Sequence, residues 1–538
     1  MKKVILILFL TLSTALSAQQ DAWIYFTDKP NAAGYLANPL SMLTQRSLDR
    51  RAAQNIALDV KDVPISQDYI DTVSSTPGVT VYARSKWLNA VHVRGTVADI
   101  QSLLDYTFVS AIDFADDTLD ANGNRPAMAH RPASFLKAQE TMVNLPYGNS
   151  QNQVAMLQGN QLHVDDYTGA GKVIAVLDAG FPGVDVLDAF SRLRNNNHIL
   201  GGYDFVNRVP DFYTSNNHGT AVLSTMGAYV QDQIVGTAPD ADYYLFITES
   251  NVDENPLEES LWVEAAEEAD RLGADIITTS LGYFHFVNPA YNYDYSDMNG
   301  TKAFISRGAD IAFTRGIVVV ASAGNSGGSA TDPHISVPAD AFNVLAVGAV
   351  NATEQHAVFS SIGPSADGRV KPDVVAQGEQ AIVVNSSGDI QGANGTSFSA
   401  PIIAGLTACL WQALPNKTNA EIVSLIRQSA DHYNSPDAMF GYGIPDFAAA
   451  VTAAGIEDEV LPLYAVYPNP VKETLSIKTE NFSVPAVIVL YNATGQLVFK
   501  QQINAPLSQI DLQQLAQGIY LYKISADNVQ ATGRIIKQ

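Results

Sequence analysis

Val173-Ile-Ala-Val-Leu-Asp178 is a run of mostly branched apolar residues closed by a carboxylate, with Ala179 and Gly180 directly after it. A short apolar run without alternation reads as a strand buried on both faces, and the Asp-Ala-Gly ending reads as its tip. Similar runs recur at residues 243–246, 275–277, 317–321 and 344–347. Helical patterns separate them. In Leu257–Leu272, Trp262, Ala265, Ala266 and Ala269 fall on one face, against Glu264, Glu267, Glu268 and Arg271. Strands alternating with helices in this way predict an α/β domain, a mostly parallel sheet covered by helices on both faces.

A strand tip can present Asp178 to a cleft, and two later motifs supply groups that complement it. His218, in Asn216-Asn-His-Gly-Thr-Ala-Val222, is followed by small and apolar residues and is expected on the first turn of a buried helix. Ser397, in Asn394-Gly-Thr-Ser-Phe-Ser-Ala-Pro401, opens a long apolar helix through Ile402, Ile403, Leu406, Cys409 and Leu410, with Pro401 expected in its first turn. A serine hydroxyl is a weak nucleophile at neutral pH. It needs an imidazole to take its proton and a carboxylate to orient that imidazole. The backbone N–H of a serine at a helix start also lacks a helical acceptor and can hold an oxyanion. Singly, Asp178 also reads as a turn cap, His218 as a helix-end histidine and Ser397 as an N-cap beside Thr396.

The order Asp, His, Ser along the chain resembles the subtilisin-like serine peptidases and differs from that of chymotrypsin-like enzymes and α/β-hydrolases. This resemblance implies that Ser397 attacks a peptide carbonyl, that His218 shuttles the proton and that Asp178 orients His218. It further implies that Asn325, in Ala321-Ser-Ala-Gly-Asn-Ser-Gly-Gly328, donates to the oxyanion together with the Ser397 N–H. On its own, Asn325 reads first as a turn former before Gly327 and Gly328, and the oxyanion role is favoured by its company with the other three motifs. Ser280, Leu281, Gly282, Ala323 and Gly324 correspond to the family's substrate-binding walls, where an extended peptide pairs through its main chain. One departure is Ala179, which stands where the family usually carries a hydroxyl residue beside the aspartate.

The remaining chain divides around this core. Residues 1–18 combine Lys2 and Lys3, an apolar stretch and small residues at Ala15 and Ala18, the parts of a secretory signal peptide. Residues 19–146 carry expected strands at 23–27, 79–83, 90–94 and 108–114 and a helix at 97–104. By resemblance they form an inhibitory and folding prosegment, a small α+β domain lying over the catalytic domain, with 116–146 as the cut region. The catalytic domain is expected over 147–454. Residues 460–538 alternate in short runs that suggest a small all-β sandwich. The Tyr467-Pro-Asn-Pro470 start, the turn at 492–495, Gly518-Ile-Tyr520 and the basic ending resemble the C-terminal sorting domain of type IX secretion substrates. A small adhesion or carbohydrate-binding sandwich is the competing reading of this region.

Composition bounds the partners. A net charge of −24 without a Lys/Arg cluster argues against nucleic acid. After the leader, no segment is long and uncharged enough to span a membrane. The one cysteine, Cys409, excludes an intrachain disulfide, and its apolar setting argues a packed residue. Asp294, Asp297 and Asn299-Gly300 offer oxygen ligands, but their spacing lacks the distal Glu of an EF-hand loop and reads as a solvated turn. No cofactor is required for the chemistry and no metal ligand is assigned; structural calcium stays open. The expectation is a secreted or surface-attached serine endopeptidase made as a zymogen, acting on protein or peptide substrates and exported by the type IX machinery. Its rival is a catalytically silent surface binding protein on the same scaffold.

Overall fold

The computed structural model describes residues 19–120, 145–250, 252–457, 465–467, 471–478, 486–492, 496–505, 507–526 and 529–538. These form a large unit ending at Thr452 and a small one beginning at Ala453. The leader at 1–18, most of the expected cut region and parts of the 467–470 and 492–495 motifs lie outside the described residues.

The large unit is organised by seven parallel strands. They are β5 (Val173–Asp178), β6 (Ile199–Asp204), β7 (Asp242–Ile247), β8 (Ile276–Thr279), β9 (Val318–Ser322), β10 (Leu345–Val350) and β11 (Val374–Gln377). Their order across the sheet is β11-β10-β9-β8-β5-β7-β6, every neighbour pair parallel. The chain therefore moves one way from β5 and then crosses back to β8, so the order reverses beside β5. Ligands of open parallel sheets bind at such a reversal, outside the carboxyl ends of the strands. Every residue of β5 is buried, as its unbroken apolar run predicts.

Helices cover both faces. Val173, Ala175 and Leu177 share a core with α5 (Leu257–Leu272) and α6 (Phe304–Thr314). Packed together on the other side are α4 (His218–Gly227) and α7 (Thr396–Ala413), which meets β8, β9 and β10. Helix α7 is apolar all round because it is buried almost along its whole length.

The prosegment forms a four-stranded antiparallel sheet, β2-β3-β1-β4, from β1 (Gln20–Phe26), β2 (Val79–Ser85), β3 (Ala90–Gly95) and β4 (Val109–Phe114). On one face Ile24, Val91 and Val93 pack with Val73 of α2 (Gln67–Ser74) and Ile100 of α3 (Val97–Gln101). The other face packs against α5 and α6: Trp23 stacks on Phe304, ring centroids 5.1 Å apart, and its Nε1 donates to Ser260 Oγ at 2.7 Å.

This docking changes the reading of α5. Glu267, which helical spacing places on a polar face, is buried beneath the prosegment turn after β2. Its carboxylate accepts from Ser85 Oγ (2.7 Å), Lys86 N (3.0 Å) and Trp87 N (2.9 Å). Burial nevertheless raises its pKa to about 7 against the opposing pull of Lys86 and the turn amides. A second contact is made by α1 (Gln45–Ala53), whose Arg50 and Arg51 are buried and pair with Asp270 at 2.5 and 2.7 Å. Asp62 holds Arg51 from the far side at 2.8 Å. Burial opposes ionisation of Asp270, but Arg51 and Arg50 outweigh it and its pKa falls.

The small unit holds two sheets around one core. Strands β12 (Ala465–Tyr467), β13 (Thr474–Lys478) and β16 (Leu507–Asp511) form one; β15 (Leu497–Ile503), β14 (Ala486–Tyr491), β17 (Gly518–Ala526) and β18 (Val529–Lys537) form the other. Leu475, Ile477 and Ile510 face Ile488, Leu490, Ile524 and Ile535, which is a sandwich.

Removing Asp270 leaves two arginines buried without their shared anion, a loss of about 3–5 kcal/mol. Asp270→Ala is expected to lower the urea midpoint of the unprocessed protein strongly. Arg271→Ala, which breaks only the half-exposed Arg271–Glu268 pair, is expected to cost less than about 1 kcal/mol and leave the midpoint nearly unchanged.

Candidate active site

Asp178 ends β5 with its side chain fully buried, and α4 begins at His218 directly against it. The two elements approach closely because residue 219 is glycine: a Cβ there would lie 2.5 Å from Gly180 O and 3.0 Å from Asp178 Cβ. His218 Nδ1 and Asp178 Oδ1 are 2.8 Å apart, and the same oxygen accepts from Ala179 N at 2.7 Å. Asn216 Oδ1 accepts the His218 N–H at 2.9 Å, satisfying a free amide at the helix start. Asp178 Oδ2 is buried with no hydrogen-bond partner among the described residues, and Ala179 brings no hydroxyl to it. The Asp178 charge raises the His218 pKa above its ordinary 6.5, outweighing burial, which lowers it.

Ser397 is the second residue of α7 and is 8% exposed. Its hydroxyl donates to Ser280 O at 3.4 Å, long for an O–H···O bond, so the side chain is held weakly. The helix starts at Thr396, which puts Pro401 in its second turn and not in its first as the sequence suggests. A proline there leaves the carbonyl four residues back without its helical donor. That carbonyl belongs to Ser397, and Ser280 Oγ supplies the missing donor at 2.8 Å. The proline therefore ties the Ser397 backbone to the end of β8.

Asn325 follows Gly324, whose φ of +112° favours glycine. Thr396 N and Thr396 Oγ1 lie 2.9 and 3.0 Å from Asn325 Oδ1. A backbone N–H can only donate, so Oδ1 faces Thr396 and Nδ2 is turned away from it. Asn325, His218 and Ser397 line one cleft of about 750 Å³, along with Ser280, Leu281, Gly282 and Gly324. Ala323 is different. It is fully buried with Ile335, Ala339 and Ala346, because side chains alternate along the extended segment after β9 and its turn points into the core. The cleft wall there is made by Ser322 and Gly324 instead.

Two cleft residues carry no sequence signal, Glu249 and Glu254 in the loop after β7. Glu249 is fixed by Tyr283 Oη, 2.7 and 2.8 Å from its two oxygens. Burial and then the neighbouring Glu258 push its pKa well above the carboxylate range, with Glu254 adding to the shift. Elsewhere, Asp294 and Asp297 cap one another's turn, with Asp294 also accepting from Ser296. Cys409 is buried 3.7 Å from His163 Nε2, a neighbour 246 positions away, and burial raises its thiol pKa far above the ordinary value. Burial also lowers His163 to about 4, so the pair is a neutral imidazole beside a protonated thiol.

Residues 169–443, more than half of the 538, match the sequence profile of the subtilase family of S8 peptidases. The chain belongs to the subtilase family. In this subtilase, residues 21–131 also match the S8 propeptide domain of Bacteroidota, and residues 465–538 match a secretion system C-terminal sorting domain. The subtilase is 27% identical over 354 residues to Subtilisin NAT of Bacillus subtilis subsp. natto, covering 65% of this chain and 82% of that one. It is 29% identical over 310 residues to a subtilisin of Bacillus pumilus, covering 57% and 98%. Among solved structures, MycP1 from the ESX-1 type VII secretion system aligns at 21% identity with a TM-score of 0.46, over 60% of this chain and 90% of that one. The sorting domain marks the subtilase for export, followed by secretion or attachment at the cell surface. No helix among the described residues is long and apolar enough to cross a membrane.

An imidazole accepts a proton only in its neutral form, so activity that depends on His218 as a base is expected to show an acid limb of kcat/KM centred above pH 6.5. In Asp178→Asn the charge that raises His218 is gone. A pH-rate profile of that variant should show the limb displaced downward and kcat reduced about 10⁴-fold.

Proposed function

We propose that this subtilase is an endopeptidase in which Ser397 attacks the scissile carbonyl. His218 takes the hydroxyl proton and returns it to the leaving amine, and Asp178 stabilises the imidazolium formed between the two transfers. The observation that carries this reading is the 2.8 Å contact from a fully buried Asp178 to His218 at the mouth of the cleft holding Ser397. The Ser397 N–H and Asn325 Nδ2 receive the oxyanion, and its formation is favoured because both donors are set before the substrate arrives. The backbone at Ser280–Gly282 pairs with the substrate as an added strand, which gives affinity with little sequence demand. Residues 19–146 act as the prosegment of a zymogen, residues 147–454 as the catalytic domain and residues 460–538 as the part read by the type IX secretion machinery.

The precursor is expected to lose its prosegment during expression, while Ser397→Ala keeps it, as read by the mass of the purified chain. Asn325→Ala should retain the fold and lose about 10²–10³ in kcat on an internally quenched peptide. A Ser397→Ala chain processed normally in a protease-free host would argue for the silent scaffold instead.

A further inference from the structure

The catalytic cleft is lined by Asn325, Gly324 and several serines, and also by two carboxyl residues, Glu249 and Glu254. Among the residues lining the cleft there is no Lys or Arg. Glu258 stands directly behind, its carboxylate accepting from Ser250 N at 2.7 Å and Asn255 N at 2.9 Å. Some buried carboxylates of this molecule are matched by cations, Asp270 by Arg50 and Arg51 and Asp373 by Lys371 and Arg427, whereas Glu259 and Asp340 are held, among the described residues, by hydrogen bonds alone. Among the described residues no Lys or Arg pairs with Glu249, Glu254 or Glu258. Three carboxyls crowded without a cation at the edge of a substrate cleft leave a charge deficit that a ligand can fill.

A second observation comes from the chain's own sequence. Residues 121–144, within the expected cut region of the prosegment, contain Arg125, Arg131 and Lys137 against a single acid, Glu140, in a protein whose net charge is −24. The one part of the chain that must be cut to free the catalytic domain is thus opposite in sign to the cleft wall.

We infer that Glu249 and Glu254 form a subsite that selects peptides carrying a lysine or arginine near the scissile bond, and that residues 121–144 are its first substrate. The inference rests on the endopeptidase reading and adds the substrate class to it. Geometry sets the spacing. Ser397 sits over the end of β8 through its contacts with Ser280, and Glu249 follows β7, two strands away across β5. Two strand spacings are roughly 10 Å, about three residues of extended peptide. The cation therefore belongs about three residues from the cut bond, within reach of a long Lys or Arg side chain.

The groups facing Glu249 are Glu254 and Glu258 from its own loop and α5, and Tyr283 from the segment after β8; His218 and His285 also line the cleft. Burial raises Glu258 to about 8, and the three carboxyls repel one another. An entering cation favours their ionised forms, so the preference for it grows as pH rises from 6 to 9.

The test uses the processed enzyme, with digestion of an unfolded reporter protein as the measure of basal activity. Its probe is a synthetic peptide of residues 121–144, set against the same peptide with Arg125, Arg131 and Lys137 replaced by Gln. The native peptide is expected to be cut roughly tenfold faster or more in kcat/KM, the size of a desolvated charge contact. Glu254→Gln, at an exposed position that does not threaten the fold, should shrink the ratio between the two peptides, and Glu249→Gln with Glu254→Gln should remove most of it. Equal rates for the two peptides with the reporter digested would overturn the subsite and leave the endopeptidase intact. Failure to cut the reporter or either peptide would overturn the endopeptidase reading, and the subsite with it.

Discussion

Everything at the cleft depends on a single carboxylate taken out of water at the end of a parallel strand. Burying Asp178 without compensation would cost several kcal/mol, and the chain offsets this with one imidazole and one backbone amide on the same oxygen. The other oxygen has no partner among the described residues, so the charge is under-solvated on one side. That arrangement concentrates the field of Asp178 on His218, and the carboxylate charge is the main reason the histidine's pKa is raised. The close contact exists only because Gly219 lets the first turn of α4 press against Gly180 and Asp178.

Ser397 is positioned by a backbone defect. Pro401 deprives the Ser397 carbonyl of its helical hydrogen bond, and the hydroxyl of Ser280 fills the gap. Ser280 also lies at the start of the segment proposed to pair with substrate, so helix α7 and the peptide-binding edge are joined at one residue. Thr396 performs a similar service for Asn325 by engaging its carbonyl oxygen twice. Asn325, through Thr396, and Ser397, the residue after Thr396, are thereby both referenced to the start of α7.

Much of this was legible in the sequence because it is local. The apolar runs announce five of the seven strands of the large sheet but not β6, interrupted by Gly201 and Gly202, or the four-residue β11; a 3.6-residue pattern announces α5 over its full length, and the glycine-flanked motifs announce where Asp178, His218 and Ser397 sit. What was not legible depends on which strand lies beside which. Glu249 reaches the cleft because β7 neighbours β5, and nothing in the six residues of β7 states that order. Arg50 and Arg51 look like a solvated helix face, yet they are buried because α5 offers Asp270 across 219 or more positions. The Cys409 and His163 pair, the burial of Glu267 and the turning of Ala323 into the core are likewise consequences of packing between distant segments.

The most direct measurement is covalent labelling of the purified, processed protein with a fluorophosphonate, followed by mass mapping of the modified peptide. The account predicts label on Ser397 alone, at a rate that rises with pH as His218 loses its proton and that collapses in His218→Ala. Label absent from a folded, processed chain, or found on a different serine, would contradict it.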